Sequence, residues 1–294
     1  MKHSRIISLV VSALIALTML CSCEEWFDGS SQRQEGTLVC HFLDVGQGDS
    51  AYIELPNNQT MLIDSGENYH GKSILQYIRD TGHNRIDYLI ATHPHSDHIG
   101  SMAYIVRNFD IGTIYMPKVG SNSNQYENLF KAVKSKKLTI QNGKAGVNIL
   151  SDSDLQLSAD IVAPVKIVKE NLNNSSIVMK LKYKKSSFLF TGDAEKAELA
   201  TITGDIKADV LKVGHHGSST STTKDFVNKV DPQIAVISCG IDNDYGHPHK
   251  TTLKYLKQNN CEIHRTDKEG TVSVTSDGRK YTVKTGIHSI ERAR

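Results

Sequence analysis

Residues 93–98 read His-Pro-His-Ser-Asp-His, four strong metal ligands in six positions. They follow Ile86-Asp87-Tyr88-Leu89-Ile90-Ala91-Thr92, an apolar run that reads as a strand. Three imidazoles and a carboxylate at a strand end are costly as core, because buried polar groups need partners. They make sense when they converge on a cation. Imidazole together with carboxylate suits zinc, manganese or iron better than calcium or magnesium. Pro94 opposes continuation of the strand. A tight loop there can turn His93 and His95 to one cation, while Asp97 and His98 fall toward a second. A helix is expected just after the cluster, from Ile99 through Gly100 and Ser101.

The elements that must hold this cluster are legible as pattern. Strands are expected at 38–45, 50–54, 60–63, 86–91, 113–116, 161–163, 176–183, 187–190, 209–213, 234–238, 262–265, 271–274 and 281–283. Helical periodicity covers 73–79, 99–108, 125–134, 194–202, 223–230 and 250–257. Hairpin-like strands come first and strand–helix alternation follows. That mixture predicts an α/β (α+β) fold of two packed mixed sheets with helices outside.

The chain also echoes itself. Asp87 to His93 is an apolar strand ending in histidine, and Asp209 to His215 repeats its length and its ending. Each follows a strand that ends near an aspartate, Leu62-Ile63-Asp64-Ser65-Gly66 and Phe190-Thr191-Gly192-Asp193. Two such half-domains would present their strand ends on one edge, where a rigid scaffold places chemistry. The echo aligns His215 with His93. Strand alternation puts Leu211, Val213 and His215 on one face. His215 is therefore the expected ligand, and His216 is left to support it or to face substrate.

Composition bounds the setting. Lys2 and Arg5 precede an apolar stretch from Ile6 to Leu20, the pattern of a targeting segment rather than a membrane span, which needs roughly 20 apolar residues. It ends in Leu20-Cys21-Ser22-Cys23, which resembles a bacterial lipobox with Cys23 as the acylated residue. The expected organisation is a signal at 1–22, a polar tether at 23–36, a catalytic domain at 37–284 and a tail at 285–294. The product would be extracytoplasmic and lipid-anchored to a bacterial membrane, at the periplasmic face or the cell surface. Removal of Lys2 and Arg5 takes the formal charge from +2 to 0, which excludes a global field that attracts nucleic acid. Cys40, Cys239 and Cys261 lie in apolar runs without metal-binding spacing and read as buried thiols. No protein partner is identifiable.

The cluster resembles the signature of the metallo-β-lactamase superfamily, and further segments in order extend the match. They are Phe42-Leu43-Asp44-Val45-Gly46-Gln47-Gly48-Asp49-Ser50, Leu62 to Gly66, Asn173-Asn174-Ser175-Ser176, Leu189 to Asp193, and Lys212-Val213-Gly214-His215-His216-Gly217-Ser218. Tyr245-Gly246-His247-Pro248 and Arg265-Thr266-Asp267 continue it. Within the superfamily the set is similar to the nuclease-like domain of ComEC-type DNA-uptake proteins and to phosphorylcholine esterases. The resemblance implies an αββα sandwich with two divalent metal ions, zinc or alternatively manganese, at its edge. It implies His93 and His95 on one metal, Asp97 and His98 on the other, and Asp193 between them. The histidine after the Asp209 strand, taken as His215, would complete the second site. Asp64 would orient a ligand histidine, and His247 would reach the rim as general acid or phosphate ligand. The superfamily's usual third-motif histidine is absent, and Asn174 stands there to face the first metal or hold a water.

Two cations about 3.5–4 Å apart hold a hydroxide near neutral pH and polarise a substrate oxygen. The expected catalytic residues are Asp97, His216 and His247. Gly217 to Thr223, rich in hydroxyls, could cradle phosphate at a helix start, with Ser218 as a contact, or could simply cap that helix. Lys180, Lys182, Lys184 and Lys185 mark a hairpin that is either a solvated face or a nucleic-acid track. The leading expectation is a phosphodiesterase or nuclease. The alternatives are a phosphorylcholine or other phosphoester esterase, a lactonase or β-lactamase-like hydrolase, and a non-catalytic metal-containing binding module.

Overall fold

Alternation of apolar side chains builds the first strands. The computed structural model describes residues 36–287. In β1 (Leu38–Phe42), β2 (Ala51–Glu54) and β3 (Thr60–Ile63), the side chains of Leu38, Cys40, Phe42, Ala51, Ile53, Met61 and Ile63 enter a core between two sheets. Tyr52 and Leu62, one residue out of phase, enter a second core beneath helices. Each fully buried aliphatic side chain of this kind contributes roughly 1.5–3 kcal/mol.

The chain continues through β4 (Arg85–Ile90), β5 (Asp110–Met116), β6 (Ile140–Asn142), β7 (Asn148–Asp152), β8 (Leu157–Ala163), β9 (Val178–Tyr183), β10 (Ser186–Phe190), β11 (Val210–Lys212), β12 (Ile234–Ile237), β13 (Glu262–Arg265), β14 (Thr271–Ser276) and β15 (Tyr281–Ile287). One sheet has the order β15-β14-β1-β2-β3-β4-β5-β6, the other β13-β12-β11-β10-β9-β8-β7. In the first sheet β3 to β6 are parallel and the rest antiparallel. In the second, β10 to β13 are parallel and β7 to β10 antiparallel. Helices at Gly71–Asp80, Met102–Asn108 and Asn124–Ser135 cover the outer face of the first sheet through Ile74, Ile78, Met102, Ile105, Leu129 and Val133. Leu199, Phe226, Val230 and Leu256 cover the second from the helices at Lys196–Leu199, Lys224–Val230 and Lys250–Gln258. The result is the expected αββα sandwich.

Three local differences have physical reasons. β6 and β7 are edge strands with little apolar content, Ile140-Gln141-Asn142 and Asn148 to Asp152, so alternation does not announce them. The helix expected from Ile99 begins at Ser96 and is interrupted, as Ser96–Ile99 and then Met102–Asn108. Gly100 sits at the break, where an added Cβ would lie 2.4 Å from the Ser96 carbonyl oxygen. Asp97 and His98 therefore ride on a helical turn rather than on a loop before it. Finally, β15 runs to Ile287, past the expected boundary at 284.

Cys40, Cys239 and Cys261 are buried free thiols. The leader at 1–22, Cys23 and the tether up to residue 35 lie outside the described residues, as does the tail from 288 on. Among the described residues no helix is long and apolar enough to cross a membrane.

Candidate metal centre

Parallel strands open their carboxyl ends to one edge, and in both sheets those ends meet. Asp64 follows β3, His93 follows β4, Asp193 follows β10 and His215-His216 follows β11. The edges are in contact at Thr92 and Gly192. Gly192 has φ +49°, and a Cβ on it would lie 2.9 Å from the Thr92 Cβ. Only glycine lets the Asp193 loop come this close.

Asp97, His98, Asp193 and His216 each offer a ligand atom, and those atoms lie within 4.8 Å of one another. His98 Nε2 is 3.3 Å from Asp193 Oδ1 and 3.7 Å from Asp97 Oδ2. His216 Nε2 is 3.0 Å from Asp97 Oδ2 and 3.7 Å from Asp193 Oδ2. His93 Nε2 lies beside them, 3.8 Å from Asp193 Oδ2 and 2.9 Å from His95 Nδ1.

The surroundings fix which nitrogen faces inward. His98 Nδ1 lies 2.7 Å from Asp64 Oδ2, and Asp64 also accepts from the Thr92 backbone amide and hydroxyl at 2.8 and 2.7 Å. His216 Nδ1 meets the Ser238 carbonyl at 3.1 Å. Each Nδ1 is thus the donor, which leaves the Nε2 lone pair for a cation. His98 Nε2 and Asp193 Oδ1 are buried and make no hydrogen bond among the described residues. Two orphaned lone-pair acceptors 3.3 Å apart fit a shared cation.

The electrostatics agree. Burial alone would lower His98 and His216. The Asp193, Asp97 and Asp64 carboxylates instead push His98 well above the usual imidazole range. Asp193 and Asp49 lead the groups that push His216 up to about 10. Burial would raise Asp193, but His98, His216 and His93 hold it well below the carboxylate range. The carboxylates therefore demand positive charge at this point. A divalent cation supplies it without protonating the ligand nitrogens. His93 and His95 differ. Burial pushes His93 well below its usual value and also lowers His95, so both present neutral imidazoles.

The remaining candidates fall as follows. His215 and His216 trade places relative to strand alternation. β11 ends at Lys212, and His215 and His216 occupy a tight turn with φ +50° and +52°, so period 2 does not reach them. It is His216, 2 % exposed, that joins Asp97, His98 and Asp193. His215 Nε2 is 3.7 Å from Asp193 Oδ2, at the more open side.

Asn174 does not face the cluster with a free amide. Its Nδ2 donates to Glu195 Oε2 at 3.3 Å and its Oδ1 accepts from the Glu195 amide at 3.2 Å. Ser218 and the loop to Thr223 spend most of their polar groups internally, with the buried Ser221 Oγ left unpaired among the described residues. Ser218 Oγ pairs with Thr220 Oγ1, Ser221 and Thr222 amides donate to the Ser218 carbonyl, and Ser219 N donates to His249 Nδ1. Thr223 caps the following helix by accepting from Phe226 N at 3.2 Å. The loop from 217 to 222 is a turn whose amides are bonded within the protein, and Thr223 caps the helix. Lys180 is buried and donates to Asp205 at 2.8 Å, so it is not part of a basic track.

His247 reaches the rim. Its ring centroid is 5.6 Å from His215 and 6.2 Å from His216, and it stacks on Tyr245 at 18°. Burial and the neighbouring histidines lower it to about 4. It is a neutral hydrogen-bonding group near pH 7, not an imidazolium acid.

Several supporting residues escaped the sequence reading. Lys212 Nζ donates to Asp49 Oδ2 at 2.8 Å, both buried, and Asp49 Oδ1 is 3.3 Å from His216 Nδ1. Glu195 is held by Asn171 Nδ2 at 2.7 Å as well as by Asn174. A lysine at the end of an apolar strand, in Val210-Leu211-Lys212-Val213, is the signal that could have flagged the first pair.

Comparison with known proteins matches residues 43–241 to the family described as "Metallo-beta-lactamase superfamily". ComE operon protein 3 of Bacillus subtilis is 31% identical over 268 residues, covering 84% of this chain and 34% of that protein. Recombination protein 2 of Haemophilus influenzae is 30% identical over 250 residues, covering 83% of this chain and 29% of that protein. The chain thus spans about a third of the length of these relatives. Igni18, a metallo hydrolase from the archaeon Ignicoccus hospitalis, shares the fold with a TM-score of 0.54 at 14% identity, over 81% of this chain and 98% of that one.

Proposed function

The chain belongs to the metallo-beta-lactamase superfamily, and we propose that within it this protein hydrolyses phosphodiester bonds, with nucleic acid as the preferred substrate class. The observation that carries the reading is the donor set. Asp97, His98, Asp193 and His216 converge with carboxylates and imidazoles and no thiolate. Hard oxygen donors favour phosphate chemistry. When bound, two divalent cations supply Lewis acidity and lower the pKa of water toward about 7. Zinc is the first choice and manganese the second.

The chain's own residues do the rest. Asp64 and the Ser238 carbonyl orient His98 and His216. Asp97 Oδ2 lies 3.0 Å from His216 Nε2, so the two would present lone pairs to one cation position. His247 stands where a neutral imidazole can hydrogen-bond a substrate oxygen. Tyr245, 67% exposed and stacked on His247, offers a face on which a nucleobase can lie. Similarity to proteins named for recombination and for competence supports nucleic acid over a small ester. We place the protein outside the cytoplasm, anchored through an acylated Cys23.

The test is hydrolysis of bis(p-nitrophenyl) phosphate and of single-stranded DNA. Asp193→Ala is expected to lower both rates by at least about 10³-fold while circular dichroism stays unchanged. His95→Ala is expected to behave alike. Full activity in either variant overturns the reading. Turnover of a phosphorylcholine ester or of nitrocefin, with none of DNA, would move the protein to the esterase or lactamase-like class. Inactivity on every ester would leave a metal-containing binding module.

A further inference from the structure

We propose that the doubled histidine serves both cation positions, His216 with Asp97, His98 and Asp193, and His215 with His93, His95 and Asp193. His215 then supplies the nitrogen that the Asn173-Asn174-Ser175 segment lacks. The inference rests on the two-cation hydrolase reading and deepens it by assigning the first cation's missing ligand.

Three observations carry it. First, two consecutive residues bring their Nε2 atoms to the same distance, 3.7 Å, from one carboxylate oxygen, Asp193 Oδ2. In an extended strand consecutive side chains point to opposite faces. Here both residues have positive φ, +50° and +52°. That conformation is disfavoured for a non-glycine residue, and strain of this sort persists where the surrounding structure imposes it. The backbone amide of His215 donates to the Gly192 carbonyl at 3.0 Å, which ties the turn to the Asp193 loop.

Second, His215 is oriented as a ligand histidine is. Its Nδ1 is 3.2 Å from Thr220 Oγ1 and 3.8 Å from Glu195 Oε1, which turns Nε2 toward Asp193. Glu195 is itself clamped. Asn171 Nδ2 and Asn174 Nδ2 both donate to its Oε2, which frees Oε1 for His215. The segment that has no histidine thus holds the carboxylate that aims one.

Third, Asp193 Oδ2 is shared. His93 Nε2 lies 3.8 Å from it, beside His95 Nδ1 at 2.9 Å. His93 and His215 therefore both approach Asp193 Oδ2, and His95 adjoins His93.

The experiment is metal counting on the purified protein, stripped and reloaded with Zn²⁺ or Mn²⁺. Equivalents are measured by inductively coupled plasma mass spectrometry, affinities by calorimetry, and Mn²⁺ pairing by electron paramagnetic resonance. His215→Asn is the variant of choice, because asparagine tolerates positive φ. Wild type is expected to bind two equivalents with a spin-coupled Mn²⁺ pair, and His215→Asn one equivalent with an uncoupled signal. Glu195→Gln is expected to keep two, one of them about 10–100-fold weaker. Two equivalents of unchanged affinity in His215→Asn overturn the assignment, as does one equivalent in wild type or loss of both in the variant. Two equivalents in a wild type inactive on phosphodiesters would overturn the proposed function and leave this assignment standing.

Discussion

The two strand edges that meet at the cluster hold their histidines by different means. On the first edge, β4 ends at Ile90 and the chain reaches His93 without a positive φ, and His98 is locked from behind by Asp64, itself held by Thr92. Those groups are all buried. On the second edge, β11 stops at Lys212, and a left-handed turn carries His215 and His216. Their supports are a carbonyl from Ser238 and a carboxylate clamped by two asparagines. One edge positions ligands by strand register and buried hydrogen bonds, the other by backbone strain and a polar clamp. The two are then tied directly, by Lys212 of β11 to Asp49 in the loop after β1.

That tie gives the largest expected effect on stability. Lys212→Met leaves the Asp49 carboxylate buried with its main cation removed. Breaking one partner of such a pair costs roughly 3–5 kcal/mol, read as a lower urea midpoint. Burial would raise Asp49, but Lys212 and His216 hold it at about 2. A depressed carboxyl contributes stability that is present above its unfolded pKa and is lost as pH falls through about 2. Wild type should therefore lose stability below pH ~4, and the variant much less. The Asp49→Asn, Lys212→Met double variant should recover part of the loss. A wild-type midpoint in Lys212→Met would show that the edges are joined through the cluster alone.

The difference between the edges also explains what the sequence disclosed. His93, His95, Asp97 and His98 are legible because they stand in one local run after a strand, whereas the role of Asp64 comes from the family resemblance. Asp193 was readable from the echo Phe190-Thr191-Gly192-Asp193. The echo points to His215, whereas His216 joins Asp97, His98 and Asp193, because two consecutive positive φ angles turn the chain there. Nothing in Gly214-His215-His216-Gly217 declares two consecutive positive φ angles. Asn171, Asn174, Glu195 and Ser238 act across long sequence separations, which local pattern does not reach. β6 and β7 are not announced because neither alternates, although Ile149 and Leu150 enter the core, and the polar Ser158 and Asp160 hide the first half of β8.

Glu198 sharpens the contrast on the second edge. It is 4% exposed on the short helix after Asp193, and burial pushes its carboxyl up to about 8, against a weaker pull from the Ser176 backbone. A carboxyl with a raised folded pKa contributes stability that is complete below its unfolded value, near 4.5, and is lost as pH rises through about 8. Wild type should lose about 2–3 kcal/mol from this group between pH ~5 and ~7. Glu198→Gln should flatten that slope and raise Tm at pH ~8. Parallel melting curves for the two proteins across this range would remove Glu198 from the argument. On the first edge the corresponding perturbation is Asp64→Asn, which keeps shape but loosens the His98 tautomer. Metal affinity is expected to fall about 10–100-fold. An unchanged affinity would mean that Thr92 and packing suffice to orient His98.

The smallest effect tests the turn after His216. Thr223 caps the helix Lys224–Val230 by accepting from the Phe226 amide, and the amides of Ser221 and Thr222 are bonded to Ser218. In the first edge, the turn Ser96–Ile99 has no side-chain cap and is held by its buried ligands instead. If the 217–223 loop is only a turn and a cap, Thr223→Ala should cost about 1 kcal/mol and leave KM for a phosphodiester unchanged. The cap is made within its own helix, so its loss frays a turn without moving His215 or His216. A KM raised tenfold at unchanged kcat would instead restore the loop as a phosphate contact, because ground-state and transition-state binding would have fallen together. In that case the second edge would bind substrate as well as aim ligands, a duty the first edge does not share.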